Sequence, residues 1–242
     1  MTIDSRHVRV FISSVFNGME KEREYFRTKL LPAAQRLCNK HAVTLTFIDL
    51  RWGITENESR EQMVLHRCLE EIDKSAQSPF FFVGLLGNRY GTTFEKRQVE
   101  SYLKSPDAKY GKWIQAKLSD QPVGVTDLEF LYAEDFARIN PELRPLYYIR
   151  EDSYGAGQDK LLSKQLDRIA QFPGYVAIDG YHSLQEIYDH FLGQLNDLLE
   201  ENFSIEETLN QYERKKLSVL NETRIEGVET GLSSVLCGNP AL

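Results

Sequence analysis

Cysteine, methionine and tryptophan are scarce in this chain, at three, three and two residues among 242. Cys38, Cys68 and Cys237 are odd in number, widely spaced and without histidine at ligand spacing, which argues against a disulfide framework or a structural zinc site. Basic excess is lacking too: 29 Lys and Arg against 36 Asp and Glu leave a formal charge of −7. Such a surface repels phosphate backbones and anionic lipid, so neither nucleic acid nor membrane is an expected partner. No apolar run approaches the roughly 20 residues that cross a bilayer, and residues 1–9 carry no apolar targeting core. The chain is expected to be soluble and cytoplasmic. His7, His41, His66, His182 and His190 show neither metal spacing nor a nucleophile partner, so no metal site and no hydrolytic triad are expected. No glycine-rich loop ending in Lys-Ser or Lys-Thr occurs, which removes a P-loop ATPase from the candidates.

What the chain does have is a 41% apolar content, enough for one core plus a tail. Strand-like and helix-like segments alternate along it. His7–Ser13 puts Val8, Val10 and Ile12 on one face, and a helix is predicted from about Gly18 to Lys40, with Phe26, Leu30, Ala33 and Leu37 on one stripe. Thr44–Leu50 reads as the second strand. Ser59 then offers an N-cap, with Gln62 placed to close a capping box, for a helix ending near Lys74. Pro79–Leu86 is apolar without alternation, as a central strand covered on both faces should be. Residues 92–122 are polar and read as an insertion at the rim of the sheet. A helix over Val125–Arg138, a strand at Pro145–Arg150, a helix over Lys160–Gln171, a strand at Tyr175–Ile178 and a final helix carrying Leu184, Ile187, Tyr188, Phe191, Leu195 and Leu198 complete the pattern. Strands that alternate with helices predict an α/β fold with a five-stranded parallel sheet, helices on both faces and strand order 2-1-3-4-5, the flavodoxin-like winding. Residues 1–203 form the expected domain. Residues 204–242 turn glycine- and serine-rich after a short helical stripe and read as a connector and flexible tail.

In such a sheet ligands bind beyond the carboxyl ends of the strands where the order reverses, here strands one and three. The residues placed there are Ser13, Ser14 and Phe16 after the first strand, and Gly87, Asn88, Arg89, Tyr90 and Gly91 after the third. Arg51 follows the second strand, and Glu129 lies on the helix after the insertion. An acid near a helix start is also favoured by the helix dipole alone. Trp52 reads as a packing residue.

The segments VRVFISSVF, FIDLRWGITENE, CLEEIDKS, FFVGLLGNRYG and VTDLEFLYA, in that order, resemble the domain of unknown function DUF4062. That domain precedes the NACHT module in STAND proteins such as the vault-associated telomerase protein and nephrocystin-like proteins. The likeness covers about residues 7–200. That family is itself similar to TIR domains, which implies a signalling or NAD-cleaving module. On that likeness FISS takes the place of the first-strand motif, Leu50–Glu58 that of the BB loop, and Glu129 that of the glutamate closing the motif after strand three. Val125 stands where TIR enzymes commonly carry Trp, and Gly124 where this family often has Ser. The resemblance also implies self-association and a downstream NACHT (STAND) ATPase in a longer protein.

Cleavage of the nicotinamide N-glycosidic bond needs no strong base, because the leaving group departs neutral from a cationic ring while the ribose becomes oxocarbenium-like. One enclosed carboxylate facing that charge suffices, and Glu129 is the candidate catalytic residue. Phe16 or Tyr90 would stack on a ring of NAD, and Arg51 or Arg89 would grip its pyrophosphate. NAD is thus an expected substrate, with no resident cofactor. The alternative is a protein–protein interaction module of the same fold, in which no chemistry occurs.

Overall fold

The structure is a computed structural model that describes residues 6–15, 17–49, 61–74, 78–94, 109–118, 122–155, 159–172 and 176–205, with positions 210, 213 and 216. Phe16, Arg51, Trp52, Ser59, Cys237 and most of the expected connector lie outside the described residues.

Five strands form one parallel sheet. β1 (His7–Ser14), β2 (Thr44–Ile48) and β3 (Phe80–Leu86) are joined by β6 (Leu143–Arg150) and β7 (Val176–Tyr181) in the order β2-β1-β3-β6-β7. Counted within the sheet alone that order is 2-1-3-4-5, the flavodoxin-like winding. All four pairings are parallel. β3 is central and every one of its residues is buried. Its odd and even positions serve opposite faces. Phe80 and Phe82 join a core with α3 (Glu61–Asp73), α5 (Val125–Ala137) and α6 (Lys160–Ala170), whereas Phe81, Val83 and Leu85 pack under α1 (Glu20–Tyr25), α2 (Leu31–Lys40) and α7 (Leu184–Asn202). A strand sandwiched in this way has no polar face to show, which is why its sequence does not alternate.

The predicted first helix is interrupted. Between α1 and α2 the backbone widens into a π-helical turn, Phe26–Leu30. Pro32 sits in the first turn of α2 and has no amide to bond the carbonyl four residues back, so the bonding register shifts here. The polar stretch expected as an insertion carries secondary structure among its described residues. β4 (Thr93–Phe94) and β5 (Val123–Gly124) pair antiparallel at its base, and the short α4 (Gly111–Lys117) rests on the domain. Tyr110 Oη donates to Asp73 at 2.6 Å and Trp113 Nε1 to Asp135 at 3.0 Å, so two carboxylates on α3 and α5 hold α4 down.

β7 runs three residues beyond the predicted end. Gly180, at φ +75°, is the extra residue of a bulge: Ile149 pairs with Asp179 and Arg150 with Tyr181. The bulge re-aims Tyr181 inward, where its ring is buried. α7 opens with a capping box between Ser183 and Glu186, one turn past that strand. Among the described residues no helix is long and apolar enough to cross a membrane.

Candidate functional site

β1 and β3 are neighbours, with Ser14 beside Leu85. The chain leaves them toward opposite faces, from β1 into α1 and from β3 by way of the excursion into α5. Their carboxyl ends therefore mark the point where the strand order reverses, the position at which open parallel sheets bind ligands.

Ser13 and Ser14 end β1 and are fully buried. Ser13 Oγ donates to Oε2 of Glu129, which is 0% exposed. Ser14 Oγ accepts from Arg23 Nη1 at 2.9 Å, and the same nitrogen donates to the Val15 carbonyl at 2.8 Å. The end of β1 is thus tied to α5 by one serine and to α1 by the next.

The start of α5 is fastened on several sides. Gly124 is its N-cap and has no side chain with which to cap it. The cap is supplied by other elements: Val125 N–H donates to the Thr92 carbonyl at 2.9 Å, Gly124 N–H to Tyr90 Oη at 3.0 Å, and Thr126 Oγ1 to the Ser14 carbonyl at 3.5 Å. Tyr90 Oη in turn donates to Asp127 Oδ2 at 2.8 Å. Arg168 reaches across from α6 and donates to both Asp127 and Glu134, two turns apart on α5. Tyr147 of β6 completes the set by donating to Glu134 at 3.1 Å. Burial pushes the Glu134 carboxyl above its usual range against the pull of Arg168, and it raises the Tyr90 phenol together with the Asp127 charge.

The loop after β3 is held at both ends. A side chain at Gly87 would meet Met19 Sδ at 2.8 Å and Arg150 Nη2 at 3.0 Å, and Gly91 takes φ +90° against Val15. Tyr90 is buried between them, while Asn88 and Arg89 are exposed at the tip. Arg89 lies alongside Gly18, and its charge reaches Glu20. The Glu20 carboxyl is held below its usual range mainly by the Gly18 amide, with Arg23 and Arg89 assisting.

A second cluster lies beyond β6 and β7. Arg150 Nη1 donates to Glu22 Oε1 at 3.0 Å and to the Gly18 carbonyl at 2.9 Å, and Tyr181 Oη donates to the same Glu22 oxygen at 3.0 Å. Arg150 also forks onto Asp152 at 2.7 and 3.0 Å.

The structure therefore brings Ser13, Ser14 and Glu129 together, with Tyr90 behind the helix start and Asn88 and Arg89 at the rim. Phe16 and Arg51 are outside the described residues. Arg23, Asp127, Glu134, Arg150 and Arg168 went unnoticed in the sequence, because each is one charge among many on a helix or strand end and its partners lie far away in the chain. Gly-Val-Thr-Asp gave a faint signal for Asp127: an acid in the first turn of a helix whose cap has no side chain. No group of three or more His, Cys, Asp or Glu suited to a metal ion occurs among the described residues.

This arrangement defines a flavodoxin-like α/β domain with an enclosed carboxylate at its switch point. The chain belongs to the family described as Domain of unknown function (DUF4062), which it matches over residues 9–196. It is 36% identical over 150 residues to telomerase protein component 1 of Rattus norvegicus, covering 62% of this chain and 5% of that protein. It is 38% identical over 100 residues to NACHT and WD repeat domain-containing protein 2 of Mus musculus, covering 40% and 6%. Against NACHT domain- and WD repeat-containing protein 1 of Mus musculus it is 29% identical over 134 residues, covering 54% and 8%. The chain thus spans less than a tenth of the length of these relatives. No solved structure matches it.

Proposed function

We propose that this domain is a TIR-like effector of a NACHT-type protein that cleaves the nicotinamide N-glycosidic bond of NAD when clustered. In that reaction the bond between ribose C1′ and the nicotinamide nitrogen breaks, and its electron pair leaves on the nicotinamide. The C1′ cation is met by water, which forms the new C–O bond and gives up a proton. Glu129 is the carboxylate assigned to face the ribose as charge develops, Ser13 holds it, and Arg89 at the rim takes the pyrophosphate. The observation that supports this reading is a fully buried carboxylate, Glu129 on α5, hydrogen-bonded to Ser13 at the carboxyl end of β1, beside which the strand order reverses. An acid in a water-excluded setting acts on a developing cation far more strongly than one in bulk solvent.

The same enclosure favours a second reading, a self-associating module without chemistry, in which Glu129 only ties α5 to β1. A downstream NACHT ATPase would supply the clustering in either case. The two part on one assay, nicotinamide release from NAD by artificially clustered protein, run beside Glu129→Gln. Release by the parent and not by a folded Glu129→Gln is the expected result. No release above that variant ends the enzymatic reading and leaves the interaction module.

A further inference from the structure

We infer that Tyr90 and Arg168 are positioning residues, locking the first turn of α5 through Asp127 so that Glu129 is held against Ser13. The inference concerns the same site as the proposed activity and rests on that reading for its catalytic consequence only.

Four anchors act on consecutive residues at the helix start. Gly124 is held by Tyr90 Oη, Val125 by the Thr92 carbonyl, Thr126 by the Ser14 carbonyl, and Asp127 by Tyr90 and Arg168 together. Two residues further on, Glu129 points back to β1. A helix start with no side-chain cap is free to fray or rotate unless something outside it fixes both its backbone and its azimuth. Tyr90 Oη does the first by accepting the Gly124 amide, and Asp127 does the second by engaging Tyr90 and Arg168 on the side of the helix away from Glu129, since two residues turn a helix by roughly 200°. Arg168 also grips Glu134 two turns along, which sets the axis as well as the rotation. All the atoms of this lock that belong to Asp127 and Glu134 find donors, so it has one geometry. Tyr90 follows Arg89 directly in sequence, so the exposed rim and the buried helix start share one short, glycine-bounded loop.

The test uses the full chain with Tyr90→Phe, which deletes one oxygen and keeps the ring, and Arg168→Lys, which keeps the charge and loses the fork. Two quantities are read for each folded variant. The first is the isotope-labelled carboxyl resonance of Glu129, assigned by its loss in Glu129→Gln. The second is nicotinamide release, resolved into kcat and KM. Tyr90→Phe should move the resonance and lower kcat by about tenfold with KM within about twofold, the pattern of a displaced group and not of a lost contact to substrate. Arg168→Lys should move both in the same direction by less. Arg144→Met, which removes an exposed pair with Glu201 at the opposite end of β6, should change neither. If the parent releases no nicotinamide yet the resonance moves in the two variants, the positioning holds and the proposed activity fails. If the resonance stays in place in both folded variants, the positioning is wrong.

Discussion

On each face of the sheet, among the described residues, an arginine binds two carboxylates, and the two clusters are built to different standards. Around Arg168 every carboxylate oxygen of Asp127 and Glu134 has a donor, from the guanidinium or from Tyr90 and Tyr147. Around Arg150 one oxygen of Glu22 takes both Arg150 and Tyr181, the other is buried without a hydrogen bond, and Asp152 stands at the surface. The first is closed in that each oxygen is paired, and the second is open, although Arg150 and Glu22 are as buried as Arg168 and Glu134. A closed network fixes one geometry, because any departure strands a buried charge. An open one constrains its members less, because the unpaired Glu22 oxygen is aimed at no donor and Asp152 is hydrated. The closed cluster lies behind Glu129, whereas the open cluster holds Gly18 in the loop that crosses the rim. Rigidity is therefore spent on the helix with the enclosed acid, and latitude is left to the loop that would meet a ligand.

Arg168→Met gives this comparison its hardest test. It leaves Asp127 and Glu134 buried without their cation, and should cost about 3 kcal/mol in denaturant unfolding, the lower end for a broken buried pair because the guanidinium is 27% exposed. Removing all three charges together, as Asp127→Asn, Glu134→Gln and Arg168→Met, should recover most of that loss. If the triple variant is no better than the single one, the cost lies in packing and not in stranded charge. Arg150→Met comes second at about 2 kcal/mol, since Glu22 keeps Tyr181 and Asp152 turns to solvent. A loss as large as that of Arg168→Met would show the two clusters to be equivalent.

The fold was legible because it rests on patterns a few residues long. The unbroken apolar run of β3 announced a strand covered on both faces, and the segments around it alternated as parallel crossovers require. Elements were misjudged where a local signal met a distant demand. The fifth strand was expected to end at Ile178, yet pairing with β6 carries it on to Tyr181 through a bulge. The helix before His41 looks continuous, yet Pro32 forces a wider turn into it. α4 looks like loop because only Trp113 and Ile114 give it an apolar side, and the carboxylates that anchor it are on other helices. At the site, topology pointed to Ser13 and Ser14 at the end of β1, and the family resemblance pointed to Glu129. Nothing in the sequence pairs Arg168 with Asp127 and Glu134, because an ion pair across 41 or 34 residues leaves no periodicity to read.

The smallest effect, and the one most specific to the closed cluster, is in pH. Burial raises the Glu134 carboxyl above its ordinary value near 4.5, more than Arg168 and Tyr147 lower it. The folded protein then binds this proton more readily than the unfolded chain does. The stability from protonated Glu134 is fully present below the unfolded value and is lost as pH rises through the raised folded one. Asp73 and Asp135 run the other way. Burial raises them, but Lys109, Tyr110 and Tyr132 at Asp73, and Lys117 and Trp113 at Asp135, lower them further, so their contribution is present above the unfolded value and lost as pH falls through the depressed one. Parent and Glu134→Gln should therefore differ in slope and not only in level. Subtracting the unfolding free energy of Glu134→Gln from that of the parent should give a difference that turns against the parent as pH climbs from about 4 toward neutrality. A flat difference would mean that Arg168 and Tyr147 cancel burial, and one that turned in favour of the parent would mean that they outweigh it, making the closed cluster a charged triad held by attraction.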